Sequence, residues 1–213
     1  MRFLLIHTAG AEGSVALATE AGVVASEVLP GRSSSEHLVS AVRRLMETAG
    51  WGLRELKAVV VVHGPGSFTG VRVGLSAAKG LCGAGEVPLI AVSRLALLAG
   101  ETGYSALDAG RGEFYFGEYA GQRMLRETLL SRDALRAAVG SGEVTVCELK
   151  VAEALAGLRV KLVDEPLAET VLPLALERVR VGEFDDVAVA DANYLRQTDL
   201  EILAKAKMEG QAR

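Results

Sequence analysis

The N-terminal half of the chain alternates short apolar runs with longer segments whose apolar positions follow helical spacing. Apolar or β-branched runs bounded by glycine-containing turns are typical of strands, and apolar residues repeated every three to four positions are typical of helices. The predicted strands lie at residues 3–8, 14–19, 23–29, 58–63 and 88–92. The predicted helices lie at residues 35–49, 70–83 and 93–99. The strands and the first two helices follow one another in the order β-β-β-α-β-α-β.

This order of elements predicts an α/β fold built on a mixed sheet. Three hairpin-linked strands form an antiparallel meander, and the later strands join it in parallel through right-handed helical crossovers. Such an arrangement is the ribonuclease-H-like core. A capping box from Ser33 to Glu36 is expected to begin the first helix, and Gly50 is expected to end it.

The C-terminal half has a less regular pattern, and no internal repeat is visible in the sequence. The predicted strands lie at residues 104–108, 113–119, 144–147 and 160–163. The predicted helices lie at residues 131–139, 151–158, 169–181 and, in the tail, 199–207. We interpret residues 1–101 as one lobe and residues 102–213 as a second, smaller lobe whose tail packs back on the first.

Composition and charge narrow the function classes. Half of the 213 residues are hydrophobic but only 5% are aromatic, which suits strands buried beneath helices better than base-stacking platforms. The net charge of −4 argues against independent nucleic-acid binding, so any such contact is expected only through a partner. Cys82 and Cys147 lack metal-ligand spacing, and we expect both to be reduced core residues. Because no apolar run reaches the length of a signal peptide or a bilayer span, we expect a cytoplasmic protein without membrane contact.

The glycine-rich stretch G-P-G-S-F-T-G at residues 64–70 lies between a predicted strand and a predicted helix. Backbone N–H groups at such a junction favour an anion. However, the glycines miss the G-x-G-x-x-G spacing, and no Lys-Ser or Lys-Thr pair follows as in a P-loop. The alternative is close packing, because Gly70, Gly74, Ala77 and Ala78 form a face of small side chains that another helix can approach. The apolar residues of the preceding helix that extend this face are Leu38, Val42 and Leu45.

The turn after the first predicted strand is a second place where a phosphate group could bind. In phosphate-binding hairpins of the actin and sugar-kinase type, this strand ends in an aspartate that holds a metal-bound water near the nucleotide phosphates. Here His7 stands in that place, and a ring nitrogen does not replace an oxygen ligand of Mg²⁺. The sequence therefore disfavours nucleotide hydrolysis. His7, His37 and His63 also lack the local spacing of a metal site, although His7 and His63 would each end a strand of one sheet.

The remaining polar motifs do not assemble an active site. Asp108 and Glu113 flank a turn, where paired carboxylates can do acid–base work but are more often solvated. The serines before the first helix are explained by capping, and the G-x-S-x-G nucleophile motif is absent from the sequence. We interpret the Asp185-Asp186 pair as a loop. We therefore predict no catalytic and no metal-binding residue.

The longest motif reads G-P-G-S-F-T-G-V-R-V-G at residues 64–74 and continues as A-A-K-G-L at 77–81. It resembles the signature of the TsaB (YeaZ) family, bacterial proteins of tRNA threonylcarbamoyladenosine biosynthesis. The agreement covers nearly the whole chain and includes S-E-H-L at 35–38, D-A at 108–109, R-G-E at 111–113, Tyr115 and Y-L-R at 194–196. The departures are His7 for a usual Asp, Gly110 for a usual Arg, and Ala192 for a common Pro before the terminal motif.

The resemblance implies a two-lobed actin-like ATPase fold that has lost catalysis. It implies a scaffold role beside the paralogue TsaD, which holds the metal and transfers the threonylcarbamoyl group to adenosine 37 of tRNAs reading ANN codons. The ATPase TsaE is a further implied partner, and tRNA is contacted only indirectly. The first two helices would pair with those of TsaD, or with a second copy of the chain when TsaD is absent. No cofactor is expected, apart from a weak ATP or ADP contact within the complex.

The resemblance also assigns site residues. The expected docking residues are His37, Leu38, Ala41, Val42, Leu45, Gly70, Val73, Gly74, Ala77, Ala78 and Leu81. The residues that would touch a nucleotide, if one binds, are Thr8, Gly64, Gly66 and Ser67. Two alternatives stay open: a nucleotide-binding or nucleotide-hydrolysing enzyme of the actin and sugar-kinase fold or a peptidase-like relative, and a homodimeric interaction module for another partner.

Overall fold

Two five-stranded sheets organise residues 1–30, 34–100 and 103–195, the parts of the chain that the computed structural model describes. The strands of the first sheet are β1 (Arg2–His7), β2 (Gly13–Thr19), β3 (Gly22–Leu29), β4 (Ala58–Val62) and β5 (Leu89–Val92). Their order is β3-β2-β1-β4-β5, with β1 antiparallel to β2 and parallel to β4. This is the mixed sheet that the order of elements predicts.

Helices cover both faces of the first sheet, which explains why β4 is buried at every position. The helices of the described residues are α1 (Ser34–Ala49), α2 (Phe68–Gly85), α3 (Arg94–Ala99), α4 (Arg132–Val139), α5 (Leu149–Ala154) and α6 (Leu172–Arg180). α1 and α2 pack on the face that carries Leu4 and Val59, and α6 packs on the opposite face, which carries Leu5 and Val60. None of these helices is long and apolar enough to cross a bilayer.

The second sheet has the order β10-β9-β6-β7-β8. Its strands are β6 (Gly103–Gly110), β7 (Glu113–Ala120), β8 (Arg123–Ser131), β9 (Glu143–Val146) and β10 (Arg159–Leu162). The three antiparallel strands β6 to β8 and the parallel strands β9 and β10, connected through α4 and α5, repeat the β-β-β-α-β-α-β order of the first sheet. The structure therefore contains a topological repeat that is not visible in the sequence.

Several predicted elements of the second half differ from the structure. The pattern does not predict β8, because this edge strand has no fully buried position and so lacks apolar alternation. The helix predicted at 151–158 is displaced, since α5 begins at Leu149 and ends at Ala154. The helix predicted at 169–181 is a 3-10 turn, Ala168–Val171, followed by α6, which has a proline in its first turn. The capping residue Ser33 and the tail helix lie outside the described residues.

After β10 the chain returns to the first sheet. The Ala168 backbone N–H donates a 2.8 Å hydrogen bond to the Ser14 hydroxyl of β2. The Ala91 N–H of β5 donates a 2.6 Å bond to the Asp185 carboxylate, and Leu89 forms a β-bridge with Asp185. The Asp185-Asp186 loop therefore extends the edge of the sheet. The last described segment closes the first core, although it follows the second sheet in sequence.

Candidate partner interface and cleft

The outer surfaces of α1 and α2 meet at an apolar groove. Its volume is about 220 Å³, and Val39 at its border is 63% exposed. Arg43 is the one charged residue among those that line it. The lining residues are Leu38, Val39, Val42, Arg43, Met46, Trp51, Leu53, Ala77 and Leu81. The groove is therefore a surface suited to an apolar side chain of another molecule.

The residues of the predicted docking face have three different environments. Those that line the groove are Leu38, Val42, Ala77 and Leu81. Those that are half-buried outside it are His37 and Val73. Those that are buried in the core of the chain itself are Ala41, Leu45, Gly70, Gly74 and Ala78. The docking role of the residues that line the groove stays a prediction. Of these, Ala77 and Leu81 are half-buried, whereas Leu38 and Val42 are buried at the floor of the groove.

The glycines of the motif permit close packing within the chain. A Cβ at Gly70 would lie 1.9 Å from the Thr8 carbonyl oxygen, and one at Gly74 would lie 2.2 Å from the Thr8 hydroxyl. A Cβ at Gly66 would lie 2.1 Å from the Ala9 carbonyl oxygen. Real Cβ atoms do not approach other heavy atoms this closely. The expectation that Gly70 and Gly74 offer a face to another helix is thus corrected, because they face the turn after β1.

An exposed aromatic cluster connects the glycine-rich motif with the terminal Y-L-R motif. The Arg72 side chain of α2 donates a 2.7 Å hydrogen bond from Nε to the Tyr194 hydroxyl. Its guanidinium carbon lies 3.6 Å from the centre of the Phe68 ring, and Phe68 is 60% exposed. Arginine stacks well on aromatic faces. The motif residues Phe68 and Arg72 therefore hold Tyr194, the first residue of the terminal Y-L-R motif, of which Arg196 lies outside the described residues.

His7 is fully buried where β1 ends. Its Nδ1 accepts a 3.2 Å hydrogen bond from the Ala9 backbone N–H, while its Nε2 has no hydrogen-bond partner and lies 3.9 Å from Glu165 Oε1. Burial, and then the positive charge of Arg94, lower the pKa of His7 to about 3. The ring is therefore neutral at neutral pH. His63 has a different neighbour, since its Nδ1 lies 3.0 Å from the Asp191 carbonyl oxygen.

Next to His7, the buried Arg94 and the partly buried Glu165 form an ion pair. Arg94, at the start of α3, is 3% exposed and donates hydrogen bonds of 2.6 to 3.0 Å to both oxygens of Glu165, from the loop after β10. The Cys147 thiol donates a 3.3 Å bond to the same carboxylate. Sequence reasoning missed this cluster. A charge inside the apolar helix sequence R-L-A-L-L-A was the available signal, because a buried arginine needs a partner.

The residues proposed to touch a nucleotide are engaged within the chain. The Thr8 hydroxyl donates a 2.6 Å bond to the Gly70 carbonyl, and the Ser67 hydroxyl accepts from the Gly70 N–H to cap α2. A Cβ at Gly10 would lie 2.4 Å from Glu165 Oε1, so a carboxylate already abuts this turn. A polyphosphate here would face that negative charge, and His7 offers Mg²⁺ no oxygen. The arrangement does not fit a magnesium nucleotide.

The other candidate carboxylates have structural contacts. Asp108 accepts a 2.7 Å hydrogen bond from the Lys150 ammonium group, and this bond lowers the pKa of the Asp108 carboxyl. Glu113 pairs with Gly110 across the turn. Within the ranges that the structure describes, no group of three or more His, Cys, Asp or Glu side chains is arranged to hold a metal ion.

A larger cavity of about 800 Å³ opens between the first sheet, α6 and the β7–β8 hairpin. His63 and Ser93, which follow β4 and β5, border it. The Glu127 carboxylate in its wall accepts hydrogen bonds from the Tyr119 hydroxyl and, at 2.5 Å, from the Asn193 side chain. Burial raises the pKa of Tyr119, which therefore stays protonated and keeps the carboxylate in place.

Comparison with known proteins identifies the family. The matching family model, described as TsaD, tRNA N6-adenosine threonylcarbamoyltransferase, covers residues 15–161. The tRNA threonylcarbamoyladenosine biosynthesis protein TsaB of Escherichia coli is 32% identical over 220 residues, covering 92% of this chain and 95% of that protein. The chain belongs to the TsaB (YeaZ) family. This confirms the family resemblance that the glycine-rich motif indicates.

Family structures agree with the fold described above. YeaZ from Pseudomonas aeruginosa is 28% identical, with a TM-score of 0.77 over 91% of this chain and 99% of that one. The predicted two-lobed α/β fold of ribonuclease-H-like type is thereby confirmed. A shorter match is the tRNA N6-adenosine threonylcarbamoyltransferase of Cereibacter sphaeroides, 40% identical over 85 residues, which are 40% of this chain and 23% of that enzyme. The chain thus resembles a segment of the transferase.

Proposed function

We propose that the chain is a non-catalytic partner subunit in the formation of N6-threonylcarbamoyladenosine at position 37 of tRNAs reading ANN codons. It docks through the α1–α2 groove onto a TsaD-type transferase and supports it. The groove carries this proposal, because Val39 is 63% exposed there and Ala77 and Leu81 are only half-buried, and contact of apolar side chains with water is unfavourable. Membership of the TsaB family supplies the biosynthetic setting.

The chemistry of the groove supports a protein partner. Leu38 and Val42 form its floor from α1, and Ala77 and Leu81 form its wall from α2. An apolar pocket of this size accepts one or two side chains of a facing helix. Arg43 at the rim donates a 2.7 Å hydrogen bond from Nε to Glu47, and its remaining N–H groups can pair with an acidic residue of the partner and orient it.

The likeness to the transferase supports the geometry of docking. Related modules can pair through equivalent surfaces, as two copies do in a two-fold dimer. A groove that accepts the same helices of a second copy can therefore accept the corresponding helices of the transferase. Self-association in the absence of the transferase follows from the same surface.

The buried surroundings of His7 support a role without catalysis. His7 is buried and neutral, and the carboxylate of Glu165 is fully engaged with Arg94 and Cys147. We therefore assign the chemistry to the transferase and to an ATPase partner of the TsaE type. The net charge of −4 supports contact with tRNA only through these partners.

A pull-down with the cognate transferase tests the proposal. Val39→Asp places a charge on an exposed groove residue, and Val189→Asp is the matched control on a 74% exposed valine elsewhere. We expect Val39→Asp to weaken binding at least about tenfold, and the control to bind normally. Circular dichroism melting verifies that both variants are folded. If Val39→Asp and Leu81→Asp are both folded and both bind the transferase as tightly as the native chain does, docking through the groove is contradicted.

A second candidate function is ligand or nucleotide binding in the 800 Å³ cavity. Its border residues follow β4 and β5, and α/β sheets commonly bind ligands beyond the carboxyl ends of parallel strands. Calorimetry with ATP and Mg²⁺ distinguishes this candidate. Micromolar binding accompanied by hydrolysis favours an enzyme and counts against the scaffold role.

A further inference from the structure

The Arg94–Glu165 pair connects parts of the chain that belong to different sheets. Arg94 begins α3 directly after the first sheet, whereas Glu165 follows β10 of the second sheet. Three hydrogen bonds of 2.6 to 3.0 Å join them, and Arg94 is 3% exposed. A guanidinium buried to this extent requires an anion beside it. In this chain the anion is the carboxylate of Glu165.

The carboxylate lies against the turn after β1. A Cβ at position 10 would lie 2.4 Å from Glu165 Oε1 and 2.9 Å from its carboxyl carbon, so any larger residue there would displace the carboxylate. Beside it, the buried His7 Nε2 lacks a hydrogen-bond partner and lies 3.9 Å from the same oxygen. The turn, Arg94 and His7 therefore lie around the Glu165 carboxylate.

The second glycine-rich loop closes the other side of the turn. The Ser67 N–H donates a 2.8 Å hydrogen bond to the Ala9 carbonyl oxygen, and Gly66 allows this close approach. The two strand-to-loop junctions of the first sheet are thus packed against each other. The position at which an oxyanion ligand would meet the turn after β1 is filled from within the chain.

We propose that the Glu165 carboxylate is a built-in anion, which fills an oxyanion site formed by Arg94 and the turn at Gly10. The native chain therefore excludes phosphate groups from the turn after β1. Removal of the carboxylate opens the site, because Arg94 then lacks a counter-ion and recruits a small oxyanion from solution. This inference is independent of the groove, and loss of transferase binding by the groove variants does not affect it.

Inorganic phosphate is the probe that tests the inference. The native chain is compared with Glu165→Ala and Glu165→Gln by isothermal titration calorimetry, in sodium chloride of matched ionic strength. We expect Glu165→Ala to bind one phosphate per chain with a Kd at least about tenfold lower than the native chain. At ten times this Kd, phosphate should raise the melting temperature of the variant by about 3–6 °C. The control Arg94→Met/Glu165→Ala retains the space but lacks the cation, and should not respond.

Two results overturn the inference. One is phosphate binding by the native chain as tight as by Glu165→Ala. The other is a folded Glu165→Ala that binds phosphate no better than the Arg94→Met/Glu165→Ala control. If Glu165→Ala unfolds in chloride, its refolding on addition of phosphate, followed by circular dichroism, supports the inference. Failure of phosphate to refold it, under conditions in which Arg94→Met/Glu165→Ala is folded, counts against it. Glu165→Gln still fills the space and should bind phosphate more weakly than Glu165→Ala.

Discussion

The hydroxyl of Thr8 donates a 2.6 Å hydrogen bond to the carbonyl oxygen of Gly70, which ties the end of β1 to the first turn of α2. Thr8 is 2% exposed, so this bond lies in the interior. Gly74, one turn further along α2, faces the same hydroxyl. The glycine-rich motif therefore fits the threonine turn closely. Its spacing reflects contact between two segments of one chain.

Gly74→Ala is expected to destabilise the fold. Its Cβ would lie 2.2 Å from the Thr8 hydroxyl, and overpacking of this kind costs about 1–3 kcal/mol. The matched control is Gly83→Ala in the same helix, where nothing lies within 4 Å of the added atom. There alanine should stabilise the helix by about 0.5–1 kcal/mol. Urea unfolding measures both, and equal stability of the two variants contradicts the packing.

The buried His7 should make stability fall in acid. Its pKa is 6.5 when unfolded and about 3 when folded, so between these values the unfolded chain binds one more proton. The part of the free energy of unfolding that depends on a neutral His7 is present in full above pH 6.5 and is lost as the pH falls toward 3. His7→Asn removes this titration but keeps an acceptor near Nδ1. Between pH 7 and 5, the native chain should lose about 2 kcal/mol more than the variant. Parallel pH profiles in urea unfolding would show that His7 is not buried as a neutral ring.

The Arg94–Glu165 pair should show a large coupling energy. Arg94→Met leaves a mostly buried carboxylate unpaired, which costs about 3–5 kcal/mol, and Glu165→Gln leaves the guanidinium unpaired. The double variant should be more stable than the sum of the two losses indicates. A double-mutant cycle by urea unfolding measures this coupling. Additive losses would mean that the two side chains do not depend on each other.

Both thiols should be unreactive in the folded chain. Burial raises the pKa of Cys82 to about 11 and that of Cys147 to about 12. At pH 8 less than about one thiol in a thousand is then a thiolate, which is the reactive form. Labelling with iodoacetamide, followed by mass spectrometry, should be at least about 100-fold slower than in urea. Labelling at the rate of the unfolded chain would place at least one thiol in solvent.

Without the transferase, the chain should self-associate through the α1–α2 groove. Sedimentation velocity should show a concentration-dependent dimer, because the exposed apolar groove residues are then covered by a second copy. Val39→Asp should shift the chain toward monomer, while Val189→Asp should leave the dimer intact. Equal dimerisation by both variants would place the self-association elsewhere.

The elements of the first sheet could be predicted because their environments are regular. β4 is buried at each position and reads as a continuous apolar run, and α1 buries one stripe of apolar residues. β8 could not be predicted in this way. It is an edge strand of the second sheet, and none of its positions is fully buried. Its sequence R-M-L-R-E-T-L-L-S therefore does not alternate between apolar and polar residues. Without β8, the second half does not show three consecutive strands, and so its β-β-β-α-β-α-β order could not be predicted from the sequence either.

The candidate sites divide along similar lines. Leu38, Val42 and Leu81 could be predicted on a shared apolar surface, because helical spacing places them there. The inward direction of Gly70 and Gly74 could not, since small residues allow close approach from either side. Arg94 and Glu165 are 71 positions apart, and no local pattern pairs them. Contacts of this range depend on how the two sheets are brought together.

The return of the chain to the first sheet has a consequence for protein synthesis. Ala168 and Ala175 are fully buried against Leu5, Val60 and Ile90, yet they leave the ribosome after both sheets have been translated. Until then, this hydrophobic face of the first sheet is not covered by residues 168–175. A stalled or prematurely terminated chain that ends before residue 168 should therefore attract chaperones or aggregate. The N-terminal half thus reaches its finished state only late in translation.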